Sequence, residues 1–166
     1  MDIFETIYAR RSVRKYKKGA IIPQTDIEKL LSAAMHAPSA VNSRPWEFYC
    51  TDKEDVKAAL MRAHPASRML ETASWAIVVC ARPELQPRHG YWPQDCAAAI
   101  ENILLAARGM GYGTCWWGCY PTQPRTDDVK KVIGCDSVPI GIVAVGVPDE
   151  EPAAKGFYDA ERVKFI

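Results

Sequence analysis

Arg10-Arg11-Ser12-Val13-Arg14 is a segment equipped to hold an anion. Two neighbouring guanidiniums and a hydroxyl offer the forked donors that a phosphate monoester prefers. Arg14, two residues past the serine, can reach a different part of the same ligand. The run RRSVRKYKK, residues 10 to 18, holds six of the 21 Lys and Arg residues, and a solvated charged face would have the same composition. The second segment is Pro38-Ser39-Ala40-Val41-Asn42-Ser43-Arg44-Pro45-Trp46. Prolines at both ends stiffen it. Ser39, Asn42 and Arg44 carry hydrogen-bonding groups suited to the edge of a heterocycle or to a polyol chain, although a capped helix-to-strand turn would also use them. Six cysteines, at positions 50, 80, 96, 115, 119 and 135, have neither C-x-x-C spacing nor a His-x-x-x-His partner. Cys50 and Cys80 fall in strand-like runs, where a reduced thiol serves as a small hydrophobe. Trp116-Trp117 read as core or interface anchors. Tyr91-Trp92, between Gly90 and Pro93, lie in a loop ahead of a buried helix and can shape a small-molecule pocket. His64 and His89 fall in loops and His36 at a helix end, and none is placed as a catalytic acid or base.

The elements that must position these residues follow from apolar spacing. Residues 2 to 9 pattern as a short helix with Ile3, Phe4, Ile7 and Tyr8 on one stripe. A capping box of Thr25 and Glu28 opens a second helix through Ile27, Leu30, Leu31 and Met35, which His36-Ala37-Pro38 ends. Trp46 to Thr51 reads as a strand, residues 53 to 63 as an amphipathic helix, and Trp75 to Ala81 as a strand buried on both faces. Residues 94 to 109 form an Ala- and Leu-rich helix whose apolar residues spread round most of its circumference, so it is expected to be buried nearly all round. Gly109, Gly111 and Gly113 stop it, and TCWWG follows as a short strand. Thr126 caps a helix that Gly134 ends, and Ile140 to Val147 is a last strand bounded by Pro139 and Pro148. Interspersed helices and strands around one sheet give an α+β or mixed α/β class.

At 166 residues without repeats or linkers, the chain reads as a single domain, 1 to 166. A net charge of +1 argues against nucleic acid as a partner. Asp2 and Glu5 interrupt any signal-peptide pattern and no apolar run is long enough to span a membrane, so a cytoplasmic protein is expected. Neither a dinucleotide-binding G-x-G-x-x-G after a strand nor a P-loop occurs, and no metal site is predicted.

Together the two polar segments resemble those of the nitroreductase family of FMN enzymes, which opens with R-[RH]-S-x-[RK] and continues with P-S-x-x-N-x-[QR]-P-W. The resemblance extends to DCAAAIEN (95 to 102), GYGTCWWG (111 to 118) and GVP (146 to 148), and so covers nearly the whole chain. It implies an α+β nitroreductase-like fold, with a central mixed, mostly antiparallel sheet flanked by helices, in an intertwined homodimer that holds FMN at the subunit interface. Arg10, Arg11 and Ser12 would hold the FMN phosphate and ribityl chain. Arg14 would stand at the pyrimidine edge, where a cation stabilises the charge that reduction adds. Pro38, Ser39, Asn42 and Arg44 would come from the other subunit. Backbone groups of Trp117 and Gly118 would face the flavin N5 and O4 edge, with Cys115 and Trp116 beside it. Lys155 matches a carboxy-terminal lysine that reaches the phosphate. The family often carries a second cation two residues later, where this chain has Phe157, so the phosphate charge would rest on Arg10, Arg11 and Lys155.

The activity implied is ping-pong transfer of electrons from NAD(P)H to a nitroaromatic, quinone or similar acceptor, with Tyr91 and Trp92 shaping the acceptor pocket and no protein nucleophile. Three other readings stay open: a specialised flavin-cleaving or reductive dehalogenating relative, a non-catalytic flavin-binding protein, and a thiol redox protein using Cys115 and Cys119.

Overall fold

Two apolar strands, Trp75–Ala81 (β2) and Val138–Gly146 (β4), lie side by side at the centre of the protein. The structure, a computed structural model, describes residues 2–87, 90–153 and 155–166, so His89 lies outside the described residues. Trp46–Thr51 (β1) and Gly113–Gly118 (β3) flank the central pair in the order β1-β2-β4-β3. All three ladders are antiparallel. The expected mixed character is confined, among the described residues, to one isolated parallel bridge between Ser12 and Thr114.

Side chains alternate across a strand, so both faces of the central pair need cover. Ile77, Val79, Val143 and Val145 pack with helices Gln24–Met35 (α2) and Trp92–Gly109 (α4). Ala76, Val78, Cys80, Ile142 and Ala144 pack with Glu54–Ala63 (α3) and Gln123–Ile133 (α5). The result is an α+β fold of three layers.

Several boundaries differ from the sequence expectation. Helix α2 starts at Gln24 after Pro23 with no side-chain cap, and Gln24 Nε2 donates to Glu28 instead. The preset φ of Pro23 starts the helix two residues early and puts Thr25 inside it. Likewise α5 starts at Gln123, with Pro124 in its first turn. Thr126 is therefore internal, and its hydroxyl donates to Thr122 O at 3.2 Å. Gly134 ends α5 in the left-handed region, φ 64°, as its lack of a Cβ allows. Strand β4 includes Pro139, opposite Cys80, where the register shifts and no ladder N–H is needed. It stops at Gly146, one residue short of Val147.

Helix α4 begins at Trp92, so Trp92 is in its first turn and Tyr91 is its N-cap. It is not buried all round. Cys96, Ala99, Ile100, Ile103, Leu104 and Ala107 are sealed against the sheet, while Ala97, Ala98, Glu101, Leu105 and Ala106 stay half-buried. The first helix, Ile3–Ala9 (α1), carries an Asp2–Glu5 capping box, and its stripe of Ile3, Phe4, Ile7 and Tyr8 faces solvent in the single chain.

Gly141 is where β3 and β4 approach most tightly. A Cβ there would meet Trp116 Nε1 and would lie 2.7 Å from the Trp117 carbonyl oxygen. Backbone cannot yield as a side-chain tip can, so Gly141→Ala is expected to cost about 1–3 kcal/mol, lowering Tm by roughly 2–4 °C for each kcal/mol. Thermal unfolding measured beside the parent protein checks this, and an unchanged Tm would show that the β3–β4 contact is looser than described.

Candidate functional site

The arginine segment is held by the start of β3. Val13 N–H donates to Thr114 O at 2.8 Å, and the Val13 side chain is buried against Gly113, where a Cβ would come within 2.8 Å of Val13 Cγ1. Three residues on, buried Tyr16 pairs with Pro148 and donates its hydroxyl to Val13 O at 2.7 Å. Burial raises the Tyr16 phenol well above its ordinary pKa, so it stays a neutral donor. Lys17 N–H donates to Val147 O, and Asp149 N–H to Lys15 O. The backbone from Ser12 to Lys17 is therefore clamped between β3 and the segment after β4.

The arginines emerge from this clamp at a cleft of about 540 Å³ whose lining includes Arg10, Arg11, Arg108, Thr114 and Glu150. Arg10 lines the cleft, and its Nε lies 3.5 Å from Glu101. Arg11 is more committed: Nε donates to Ala153 O, Nη1 to Arg10 O and Nη2 to Tyr8 O. Its charge faces the cleft while three of its five N–H donors hold backbone. Arg14 is exposed outside the cleft lining, with Nη1 3.5 Å from Ser12 O. Glu150 accepts from the Arg14 and Lys15 amides at 2.5 and 3.2 Å. Lys155 is exposed, two residues beyond the Ala153 carbonyl that Arg11 grips. Arg108 was not singled out by sequence, because a basic residue in the last turn of a helix is ordinary dipole complementarity. Its Nε is buried with no hydrogen-bond partner among the described residues.

The Pro38 to Arg44 loop stores strain. Val41, Asn42 and Arg44 have φ of 50°, 55° and 47°, a region that non-glycine residues enter rarely and β-branched ones hardly at all. Arg44 N–H donates to Ser39 Oγ and Arg44 Nε to Asn42 Oδ1, both at 3.0 Å. The anchor is Asp95, buried in the first turn of α4. Its Oδ1 accepts from Ala40 N–H at 3.1 Å and its Oδ2 from buried Gln86 at 2.7 Å, while Gln86 also reaches Ser43 Oγ at 3.3 Å. Pro38, Asn42 and Arg44 are exposed and Ser39 is half-buried.

Asp95 and Arg108 sit at opposite ends of α4, about 20 Å apart at the helical rise per residue. Within the single chain the loop and Arg108 are therefore at opposite ends of the helix, with Arg10 against Glu101 between them. The structure brings Arg10, Arg11 and Ser12 to β3 and leaves Pro38, Ser39, Asn42 and Arg44 at the far end.

Strand β3 is an edge. The Thr114 carbonyl points outward to Val13, and the Cys119 amide points inward to Ile140 O. Backbone alternation then turns the Trp116 and Gly118 groups outward and assigns those of Trp117 to the β4 ladder. At the far end of the edge, buried His64, the C-cap of α3, places Nε2 3.0 Å from Gly118 O. Its Nδ1 is buried with no partner among the described residues, so the ring anchors the strand end. The outward amides of Trp116 and Gly118 remain as donors for a ligand edge. Cys115 is buried, Trp116 exposed and Trp117 partly buried. Trp92 stacks edge-on with Tyr120 at 4.8 Å, next to the end of β3, and Tyr91 beside it is exposed. Tyr120 escaped sequence reasoning because its partner is distant in the chain.

The cysteines are free thiols. Burial pushes Cys96 and Cys119 up to about 12 and Cys50 up to about 11, and raises Cys80 and Cys115 as well. At neutral pH these five are protonated and poor nucleophiles. Among the described residues no group of three or more His, Cys, Asp or Glu side chains is arranged to hold a metal, and no helix is long and apolar enough to cross a membrane.

Comparison with known proteins agrees with this architecture. The family model described as Nitroreductase family matches residues 7–92 and 62–147. A protein of Archaeoglobus fulgidus carrying the provisional name NADH dehydrogenase/NAD(P)H nitroreductase is 42% identical over 163 residues, covering 96% of this chain and 91% of that one. A solved structure from Parabacteroides distasonis under the same provisional name aligns with a TM-score of 0.92 at 34% identity, covering 98% and 96% of the two chains. The FMN-dependent nitroreductase of Clostridium difficile aligns at 0.87 with 28% identity, covering 98% of each. The chain belongs to the nitroreductase family and is an oxidoreductase.

Two outcomes follow from the site's geometry. Asp95→Asn presents an NH2 to a donor on one side of the anchor, so stability is expected to fall by about 1.5–3 kcal/mol, with faster proteolysis at residues 39–44; denaturant melts and limited digestion read both. Cys96 and Cys119 are expected to resist a thiol reagent at pH 8 in the native protein, with all six cysteines reacting in urea. Rapid native labelling of Cys119 would revive a thiol mechanism.

Proposed function

We propose that this chain binds FMN between two copies of itself and passes electrons from NAD(P)H to a small acceptor, such as a nitroaromatic or quinone, in a ping-pong cycle. The observation that carries the reading is the meeting of the Arg10–Arg11–Ser12 segment with the open outer edge of β3, beside a cleft lined by Arg10 and Arg11. Cations at one end and outward amides along the edge fit a ligand with a phosphate at one end and a hydrogen-bonding heterocycle at the other. The provisional name of the Archaeoglobus relative and the FMN dependence of the Clostridium protein support the same choice.

In this reading Arg10, Arg11 and Ser12 bind the phosphate and adjoining chain, with Lys155 reaching it from the tail. Arg14 supplies positive charge at the pyrimidine edge. The Trp116 and Gly118 amides orient the opposite edge of the ring system, and Cys115, Trp116 and Trp117 pack beside it. When bound, FMN supplies the two-electron chemistry, and the protein supplies position and charge. Tyr91 and Trp92, with Tyr120, wall the space for the acceptor and exclude water there.

A second copy supplies what one chain lacks. Pro38, Ser39, Asn42 and Arg44 are held at the start of α4, about 20 Å along the helix from Arg108, and in this reading they complete the site of a partner. Exposed Ile3, Phe4, Ile7 and Tyr8 on α1, with Phe157, Tyr158 and Phe165 on the tail, form apolar surface suited to burial against that partner.

The purified protein is expected to be a yellow dimer in sedimentation, to release FMN on denaturation, and to be bleached by NADH or NADPH under anaerobic conditions and recoloured by a quinone or nitroaromatic. A colourless protein that takes up no FMN sinks the proposal. Bound FMN that no nicotinamide bleaches would favour a non-catalytic flavin-binding role, and bleaching without turnover on these acceptors would favour a specialised reaction.

A further inference from the structure

The cleft holds a cation that neither the sequence motifs nor the reading above has used. Arg108 reaches it from the last turn of α4, and its Nε is buried without a hydrogen-bond partner among the described residues. That Nε is sealed from the cleft, so the half-buried guanidinium lining it has its Nη donors to offer an anion there. The other cations of the cleft are partly committed. Arg11 spends three donors on backbone carbonyls, Arg10 faces Glu101, and Lys155 is exposed on the tail. Three acidic side chains, Asp149, Glu150 and Glu151, share the cleft with them. Glu150 already accepts from the Arg14 and Lys15 amides, and Asp149 and Glu151 are exposed to solvent that screens them.

We propose that Arg108 is a third phosphate-binding guanidinium of the flavin site, donating from its Nη groups to the terminal phosphate that Arg10 and Arg11 also face. This rests on the FMN reading above and adds to it a residue outside the two recognised motifs. Arg108 makes the site selective for a phosphorylated flavin over the bare nucleoside analogue. Arg108 touches no reacting atom in this role; it is a binding residue.

The test is a titration of flavin-free protein with FMN and with riboflavin, followed by flavin fluorescence, for the parent, Arg108→Gln and Arg108→Lys. The parent is expected to prefer FMN. Arg108→Gln is expected to weaken FMN binding by roughly 10- to 100-fold while leaving riboflavin affinity unchanged, and Arg108→Lys should recover part of the preference. In the parent protein the guanidinium N–H resonance of Arg108 should move on adding FMN or inorganic phosphate, and stay in place with riboflavin. That measurement needs no variant, so it decides the matter even if Arg108→Gln fails to fold. An unchanged FMN preference in Arg108→Gln, or a resonance indifferent to FMN, overturns the assignment and leaves the flavin reading standing. A parent protein that binds riboflavin as tightly as FMN does the same, whereas one that binds neither flavin defeats both.

Discussion

Everything in this fold depends on covering both faces of the β2–β4 pair. Ile77, Val79, Val143 and Val145 on one side, and Val78, Ile142 and Ala144 on the other, leave no face that water can solvate. A helix must therefore lie across each side, and the longest, α4, seals the first. Its 18 residues reach about 27 Å, so the helix that closes the core also sets the distance between whatever its two ends hold. Asp95 holds the strained loop at one end and Arg108 faces the arginine cleft at the other.

The two ends are built on different physics. At the first, three residues with positive φ persist because a buried carboxylate and a buried amide over-determine them through Ala40 and Ser43. At the second, positive charge gathers on a clamped backbone, with Tyr16 filling the space beside Gly146 and Val13 that beside Gly113. In the proposed function the hydrogen-bonded loop and the clamped arginine segment would both be formed before the ligand arrives, which lowers the entropy lost on binding. In the proposed dimer the two features come together from different chains, and the open apolar stripe of α1 is covered by the same association.

Strand β3 links the cleft to the rest of the candidate site. An unpaired edge invites aggregation, and here its two ends are capped by unlike devices. Val13 takes the Thr114 carbonyl at one end, and the His64 ring meets the Gly118 carbonyl at the other. Between them the Trp116 and Gly118 amides are left available to a flat ligand. His64 can do this because its ring is buried at the C-cap of α3, a placement with no sign in its sequence neighbours.

The elements legible in the sequence were those whose cause is local. Trp46–Thr51 and Trp75–Ala81 match their apolar runs to the residue, and Gly134 ends α5 because a left-handed residue is needed there. The starts of α2 and α5 were misplaced although Pro23 and Pro124 stood there as signals, since Thr25 and Thr126 mimic caps. The arginine segment and the Pro38 to Arg44 loop were likewise legible, as residue types able to bind an anion and a heterocycle. Their surroundings were not: Asp95 meets Ala40 across 55 residues and His64 meets Gly118 across 54. No periodicity or spacing encodes such pairs, because the packing of separate elements on the sheet brings them together. The chemistry available in this chain was thus decided by sequence. Which groups share a cleft, Arg108 and Arg10 among them, and which stand about 20 Å apart along α4 were decided only when burial of the β2–β4 pair forced the helices into place.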